Sequence, residues 1–361
     1  MPRRVTRRQM LAAGGASAAA LTATDHAEAQ TRRRTSGGPG RSPFWEPGPN
    51  KNLVRNLKPG PTPVRIANPL VIGRSRASEK GTPATRSIGD AVKALRDQGY
   101  RCAWIMSPAP WAEASESMVS ELHAALKEYD VDMWEVGGYR NILHPDESAR
   151  QANLKYLAHC LEVAEKIGCR MVGTITGSRN PEGNRWVDNY AVHPDNWTLE
   201  TWKLTISGVK QILKDTAGLK AVLGMEAQVT TNLDGPIAHA NLRDDVGDPR
   251  LKVSFDPTNM VHFYNHFHST ELLNQCFDLL GEDIYGCGAK DSYVLPHSQT
   301  VLVQEVCPGR GSLDYETYLV RLSRMKWSRS LNLEHFPMDQ NPEACAYIRK
   351  VAAKVGVTVL G

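Results

Sequence analysis

The chain has 361 residues, a formal net charge of +4 and seven cysteines. Residues 1–29 carry four arginines against Asp25 and Glu28, and residues 30–62 carry seven basic residues against Glu46, so the remainder sums to −4. A mildly acidic globular part argues against a nucleic-acid surface, which needs its positive charge on the folded face. Scattered cysteines without a CxxC in so long a chain argue against a disulfide scaffold or a zinc ribbon.

Residues 1–29 read MPRRVTRRQMLAAGGASAAALTATDHAEA. Arg7 and Arg8 stand directly before Gln9-Met10-Leu11, as in a twin-arginine export signal, and Ala27-Glu28-Ala29 is a small-x-small cleavage site. The Ala-rich run between them is too short and mild to anchor in a membrane. The expectation is a signal peptide, removed on export to the periplasm or medium by the twin-arginine pathway, with no membrane anchor left behind. That pathway carries folded proteins, often with a metal or cofactor in place, and suits cysteines that fold as buried thiols in a reducing cytosol. Residues 30–62, rich in Pro, Gly and Arg, read as a basic arm or linker.

From residue 63 to 361 the pattern is that of one domain. Short apolar runs begin at VRIANPLVIG (64–73) and continue through RCAWIMSP (101–108), VDMWEVGGY (131–139) and RMVGTITGS (170–178). AVLGMEAQ (221–228), LKVSFDPTN (251–259), IYGCGAKDS (284–292) and SLNLEHF (330–336) complete the series. Each is followed by a segment with helical spacing, such as IGDAVKALRDQGY or ARQANLKYLAHCLEVAEKIGC. Eight strands alternating with eight helices predict an α/β fold, a (β/α)8 TIM barrel. A doubly wound open sheet is the alternative, but no glycine-rich dinucleotide fingerprint follows the first strand.

In such a barrel the site lies at the C-terminal ends of the strands. Glu226 ends the fifth strand, Asp256 the sixth, Lys290 and Asp291 the seventh, and Glu334 with His335 the eighth; Glu135, Tyr139 and Thr176-Gly177-Ser178 come from earlier strands. Three carboxylates converging from adjacent strands repel one another unless a cation neutralises them, so Asp256 reads as a metal ligand.

The set GMEAQ, SFDPTN, GAKDS, PGRGSLDY and LNLEHF resembles the xylose isomerase-like barrel superfamily of sugar phosphate isomerases and epimerases. That superfamily includes ketose 3-epimerases, inosose dehydratases and endonuclease IV, and the resemblance covers nearly all of the chain from Val64 onward. It implies a divalent ion, Mn²⁺, Mg²⁺, Co²⁺ or Zn²⁺, held by Glu, Asp, His and Glu, with the two glutamates also moving protons. Glu226, Asp256 and Glu334 match three of those ligands, and Glu226 and Glu334 match the catalytic pair. The fourth position departs: where the family reads His-x-Lys-Asp, this chain has Gly288. His262 and His266, beyond the sixth strand, are the nearest substitutes, although the favoured reading of each is a loop histidine on the surface.

Asn259 and Lys290 are expected at the substrate, although a Lys290-Asp291 ion pair is an equal reading for the lysine. Arg310 in the PGRGS loop either binds a hydroxyl-rich ligand or fixes the loop. Trp111, Trp186, Tyr190, Trp197 and Tyr293 suit stacking on sugar rings, while Trp134 reads as core. The long polar stretch from Arg179 to Trp197 is expected to shape substrate choice. His144 and His193, each before Pro-Asp, read as helix-capping residues, and His335, next to Glu334, as a structural residue on the opposite strand face.

These residues imply an exported metal-dependent isomerase, epimerase or lyase that removes a proton beside the carbonyl of a sugar or keto-sugar. A carbohydrate-binding barrel without turnover is the alternative that Gly288 favours. An endonuclease IV-like phosphodiesterase lacks its histidine-rich cluster here. The expected partner is a small sugar-derived molecule rather than nucleic acid, and self-association into a homo-oligomer is left open.

Overall fold

The computed structural model describes residues 57–72, 87–106, 114–182, 189–262, 265–297 and 299–361. The expected signal peptide, the arm as far as residue 56, Trp111 and Trp186 lie outside these residues.

Eleven strands are formed among the described residues: β1 (Val64–Pro69), β2 (Cys102–Met106), β3 (Asp132–Gly137), β4 (Met171–Thr174), β5 (Val222–Glu226), β6 (Leu251–Phe255), β7 (Ile284–Ala289), β8 (Asp291–Val294), β9 (Val303–Val306), β10 (Ser330–Leu333) and β11 (Val359–Leu360). Eight of them pair in parallel in the order β10-β7-β6-β5-β4-β3-β2-β1, and β10 pairs back onto β1 to close the barrel. These are the eight runs read from the sequence. Their near-continuous apolar character follows from burial on both faces, by side chains inside and helices outside. β11 adds a short parallel contact to β1, with Val64 and Arg65 in register with Val359 and Leu360.

The helices are α1 (Ile88–Asp97), α2 (Glu116–Glu128), α3 (Glu147–Lys166), α4 (Leu199–Asp215), α5 (Pro236–Val246), α6 (Ser269–Leu280), α7 (Tyr315–Ser323) and α8 (Asn341–Val355). Side-chain caps start several of them: Ser87 Oγ accepts from the Asp90 amide at 3.1 Å, and Asp146 Oδ1 from the Ala149 amide at 2.7 Å. α3 buries Leu154, Leu157, Leu161 and Ala164 along one stripe, spacing that lays one face on the barrel wall. Each fully buried leucine contributes roughly 1.5–3 kcal/mol. As expected, His144 Nδ1 and His193 Nδ1 accept from the amides two residues on, at 3.1 and 3.3 Å.

One feature departs from the sequence reading. The seventh run breaks at Lys290, where the chain leaves the barrel wall and enters an antiparallel β8–β9 hairpin that pairs Asp291 with Val306. All seven cysteines are unpaired, six of them buried, which agrees with the expectation of structural thiols. No helix among the described residues is long and apolar enough to cross a membrane.

Candidate active site

At the C-terminal rim, Glu226, Asp256, Lys290 and Glu334 stand at the ends of β5, β6, β7 and β10. Glu226 is held by neutral donors: the Tyr139 hydroxyl donates to Oε2 at 2.5 Å and the Asn259 amide donates to Oε1. Asp256 Oδ1 accepts from the Thr258 amide at 2.9 Å. Its Oδ2 lies 2.9 Å from the Lys290 ammonium in an ion pair whose angle leaves that oxygen without a formal hydrogen bond. Lys290, whose side chain is 0% exposed, also donates to Glu305 Oε1 at 2.7 Å, from β9.

His335 joins this group. It sits at φ 62°, in the left-handed region that non-glycine residues rarely adopt, and its Nδ1 lies 2.8 Å from Lys290 Nζ and 2.9 Å from Glu305 Oε2. The expectation that His335 points away from Glu334 is corrected here: β10 ends at Leu333, so strand alternation no longer governs the residue, and the reversed φ turns the ring back to the mouth.

The field of the cluster follows from its contents. Burial, then the charges of Glu334 and Asp256, push the Glu226 carboxyl well above the usual carboxylate range. Burial raises Glu334 too, against the pull of His335 and Lys290. Burial alone would lower Lys290, but Asp256, Glu305, Glu334 and Glu226 outweigh it and hold the ammonium above its ordinary value. Glu305 moves the other way despite its own burial, down to about 2, because His335 and Lys290 stabilise its anion. Tyr190, from the long segment after β4, feels the Glu226 charge and is raised first by burial and then by that charge.

Below the rim, Glu135 is buried inside the barrel where Gly173 and Gly286 leave room for it; a Cβ on Gly173 would stand 2.0 Å from its Oε1. Its Oε2 accepts from the Asn332 amide at 2.8 Å, and the Tyr139 hydroxyl lies 3.4 Å from Oε1. Burial, then Glu334, raise it to about 8.

Other expected residues lie elsewhere. Arg310 makes a two-point ion pair with Glu343 of α8, at 2.8 and 2.5 Å, and fixes its loop. Asp291 does not pair with Lys290; it accepts from the amides of Ser292, Gly309, Gly311 and Leu313. Gly311 is required there, since a Cβ would stand 2.3 Å from Asp291 Oδ1. His266 is buried, with Nε2 3.0 Å from Ser312 Oγ. His262 is half-buried on the turn after β6, its amide donating to Asn265 Oδ1 at 2.6 Å. Trp197 ends a short 3-10 turn and is half-buried. Thr176-Gly177-Ser178 anchors the long segment, Ser178 Oγ donating to the Ala191 carbonyl at 2.7 Å. Trp134 is core, 5.9 Å from the Trp327 ring in a stacked pair. Sequence reasoning missed Glu305, whose only signal was an apolar hairpin pattern around Pro296.

The same observations test the fit of a divalent ion. Both Glu226 oxygens are engaged by neutral donors, Asp256 Oδ2 faces an ammonium, and position 288 supplies no side chain. Among the described residues no three His, Cys, Asp or Glu side chains are grouped to hold a metal ion. The residues as arranged do not fit a divalent ion.

A family model described as a xylose isomerase-like TIM barrel matches residues 92–351. No curated protein matches the sequence. A xylose isomerase domain protein from Planctomyces limnophilus superposes with a TM-score of 0.60 at 14% identity, over 83% of this chain and 99% of its own. A xylose isomerase-like TIM barrel protein from Mycobacterium smegmatis, solved in complex with magnesium, gives 0.59 at 14% identity, over 81% and 96%. The 3-keto-D-glucoside 4-epimerase from E. coli gives 0.52 at 14% identity, over 79% and 98%. At such identities the likeness is one of fold.

Proposed function

This chain belongs to the xylose isomerase-like TIM barrel family, and on that footing we propose that it transfers a proton at a carbon beside the carbonyl of a sugar or keto-sugar. The observation that carries this reading is the pair Glu226 and Glu334. They come from β5 and β10, with β6 and β7 between them in the sheet order, so they approach a bound ligand from different sides. Burial raises both carboxyls, with the charge of Glu334 adding to it at Glu226 and the charges of Asp256 and Glu305 adding to it at Glu334. A raised carboxyl holds its proton more firmly than a free one, and a pair with one partner as carboxylate and the other as acid is what a two-sided proton transfer requires.

The carboxylate takes the proton from the C–H, the bonding electrons move to the carbonyl oxygen, and an enediolate forms. The acid then returns a proton. Delivery to the opposite face gives an epimer, delivery to the neighbouring carbon an isomer, and protonation of a departing β-hydroxyl gives elimination. Tyr139 and Asn259 orient Glu226 through this exchange, and Tyr190 supplies an aromatic wall. A divalent ion on Glu226, Asp256 and Glu334, the version the family resemblance suggests, is not needed for any of these steps. The leader read in residues 1–29 supports action outside the cytoplasm, on free or glycosidically linked sugars.

The test is to incubate the protein with a panel of keto-sugars in deuterated water and follow the C–H beside each carbonyl by NMR. Deuterium should enter at one such carbon in at least one sugar. Sugar binding with no exchange in any member would overturn the proposal in favour of a carbohydrate-binding barrel.

A further inference from the structure

Three carboxylates gathered at strand ends need a cation, and the chain places one among them. Lys290 has no exposed side-chain surface and stands 2.9 Å from Asp256 Oδ2 and 2.7 Å from Glu305 Oε1. A lysine is buried this completely only when paired. The strand position two residues earlier is Gly288, and the space a side chain would fill there is already taken. A Cβ on it would lie 2.6 Å from Glu334 Oε1 and 2.9 Å from Asp256 Oδ2. With no side chain at 288, that space is occupied by the Glu334 and Asp256 carboxylates, and Asp256 reaches the ammonium. His335, turned inward by its φ of 62°, completes the ring around Nζ at 2.8 Å.

We propose that Lys290 is the resident cation of this site: its ammonium takes the place of a divalent ion, and the centre binds none. One part of this rests on the proton-transfer reading, namely that the ammonium's field offsets the charge on the enediolate oxygen. The balance needs no further reactant, because the proton lost by the substrate carbon sits on a carboxylate while the electron pair sits on oxygen. Lys290 acts through Asp256 and Glu305 and is a positioning residue, because its own side chain has no surface for substrate to touch.

The experiment uses the full chain, stripped with EDTA and titrated with Mn²⁺ while the free ion is followed by electron paramagnetic resonance. Wild type should bind no ion at this site, and Mn²⁺ should leave its thermal midpoint unmoved. One bound equivalent that disappears in Asp256→Asn would overturn the proposal. The Lys290→Gln variant should gain what wild type lacks, a midpoint that rises with Mn²⁺, because the carboxylates then lack their counter-ion. A folded Lys290→Gln that ignores Mn²⁺ would overturn it equally, and if that variant does not fold, the wild-type titration decides. None of these readouts depends on turnover, so absence of deuterium exchange would strike the proposed reaction and leave this result standing.

Discussion

On the β5 side of the mouth Glu226 is oriented by a phenol and an amide, whereas at the adjoining ends of β6 and β7 Asp256 and Glu305 are held by the charge of one buried ammonium. Neutral donors fix where a carboxyl points and favour its anion only in part, so burial and the neighbouring charges still raise its affinity for a proton. An ammonium at under 3 Å fixes the charge as well. The two halves therefore divide the work: one carries a mobile proton, the other a constant field.

Breaking the ionic half should have the largest effect. Lys290→Met keeps the volume and removes the charge, leaving Asp256 buried and unpaired, and about 3–5 kcal/mol of stability should be lost in urea unfolding at neutral pH. A loss below about 1 kcal/mol, the range of an exposed pair, would show that the ammonium does not organise the mouth.

Glu135 sharpens the comparison, since it has neutral donors and no cation. Its folded pKa of about 8 lies above the ordinary 4.5, so the folded state keeps a proton that the unfolded chain releases. The stability from this group is complete below the unfolded value and is lost as pH rises through about 8. Glu135→Gln, which mimics the protonated acid, should match wild type near pH 4.5 and exceed it near pH 9 by on the order of 2–4 kcal/mol. Parallel pH–stability curves for the two proteins would contradict this.

On the neutral side, Asn259→Ala takes the amide from Glu226 Oε1 and should cost about 1–2 kcal/mol, with slower deuterium exchange into substrate. Unchanged stability and exchange would mean that Asn259 does not hold the carboxylate. Smallest of all is Arg310→Ala. Its pair with Glu343 is solvent-exposed, so neither the unfolding midpoint nor exchange should move measurably, and a clear loss of exchange would restore Arg310 as a substrate contact.

The barrel was legible because parallel strands buried on both faces read as near-continuous apolar runs, and LKVSF and AVLGME are such runs. Positions at strand ends were legible for the same reason: Glu226, Asp256, Lys290 and Glu334 all reach the rim. What they do there was not, because partner choice depends on register and on chain beyond the strand. Lys290 pairs with Asp256 rather than its neighbour Asp291, which instead ties down the 309–313 loop. Glu305 arrives on a hairpin that the seventh run concealed, and His335 is turned by a backbone angle that strand alternation does not predict. Gly288 was read as a missing ligand; its contacts show a space that two carboxylates have filled.

The most direct test of the two-carboxyl reaction is the exchange behaviour of Glu226→Gln and Glu334→Gln on each of two epimeric sugars, in deuterated water. Neither variant should interconvert the epimers, and each should retain deuterium exchange with at most one of them, a different one for each variant. Full interconversion by either variant would contradict the account.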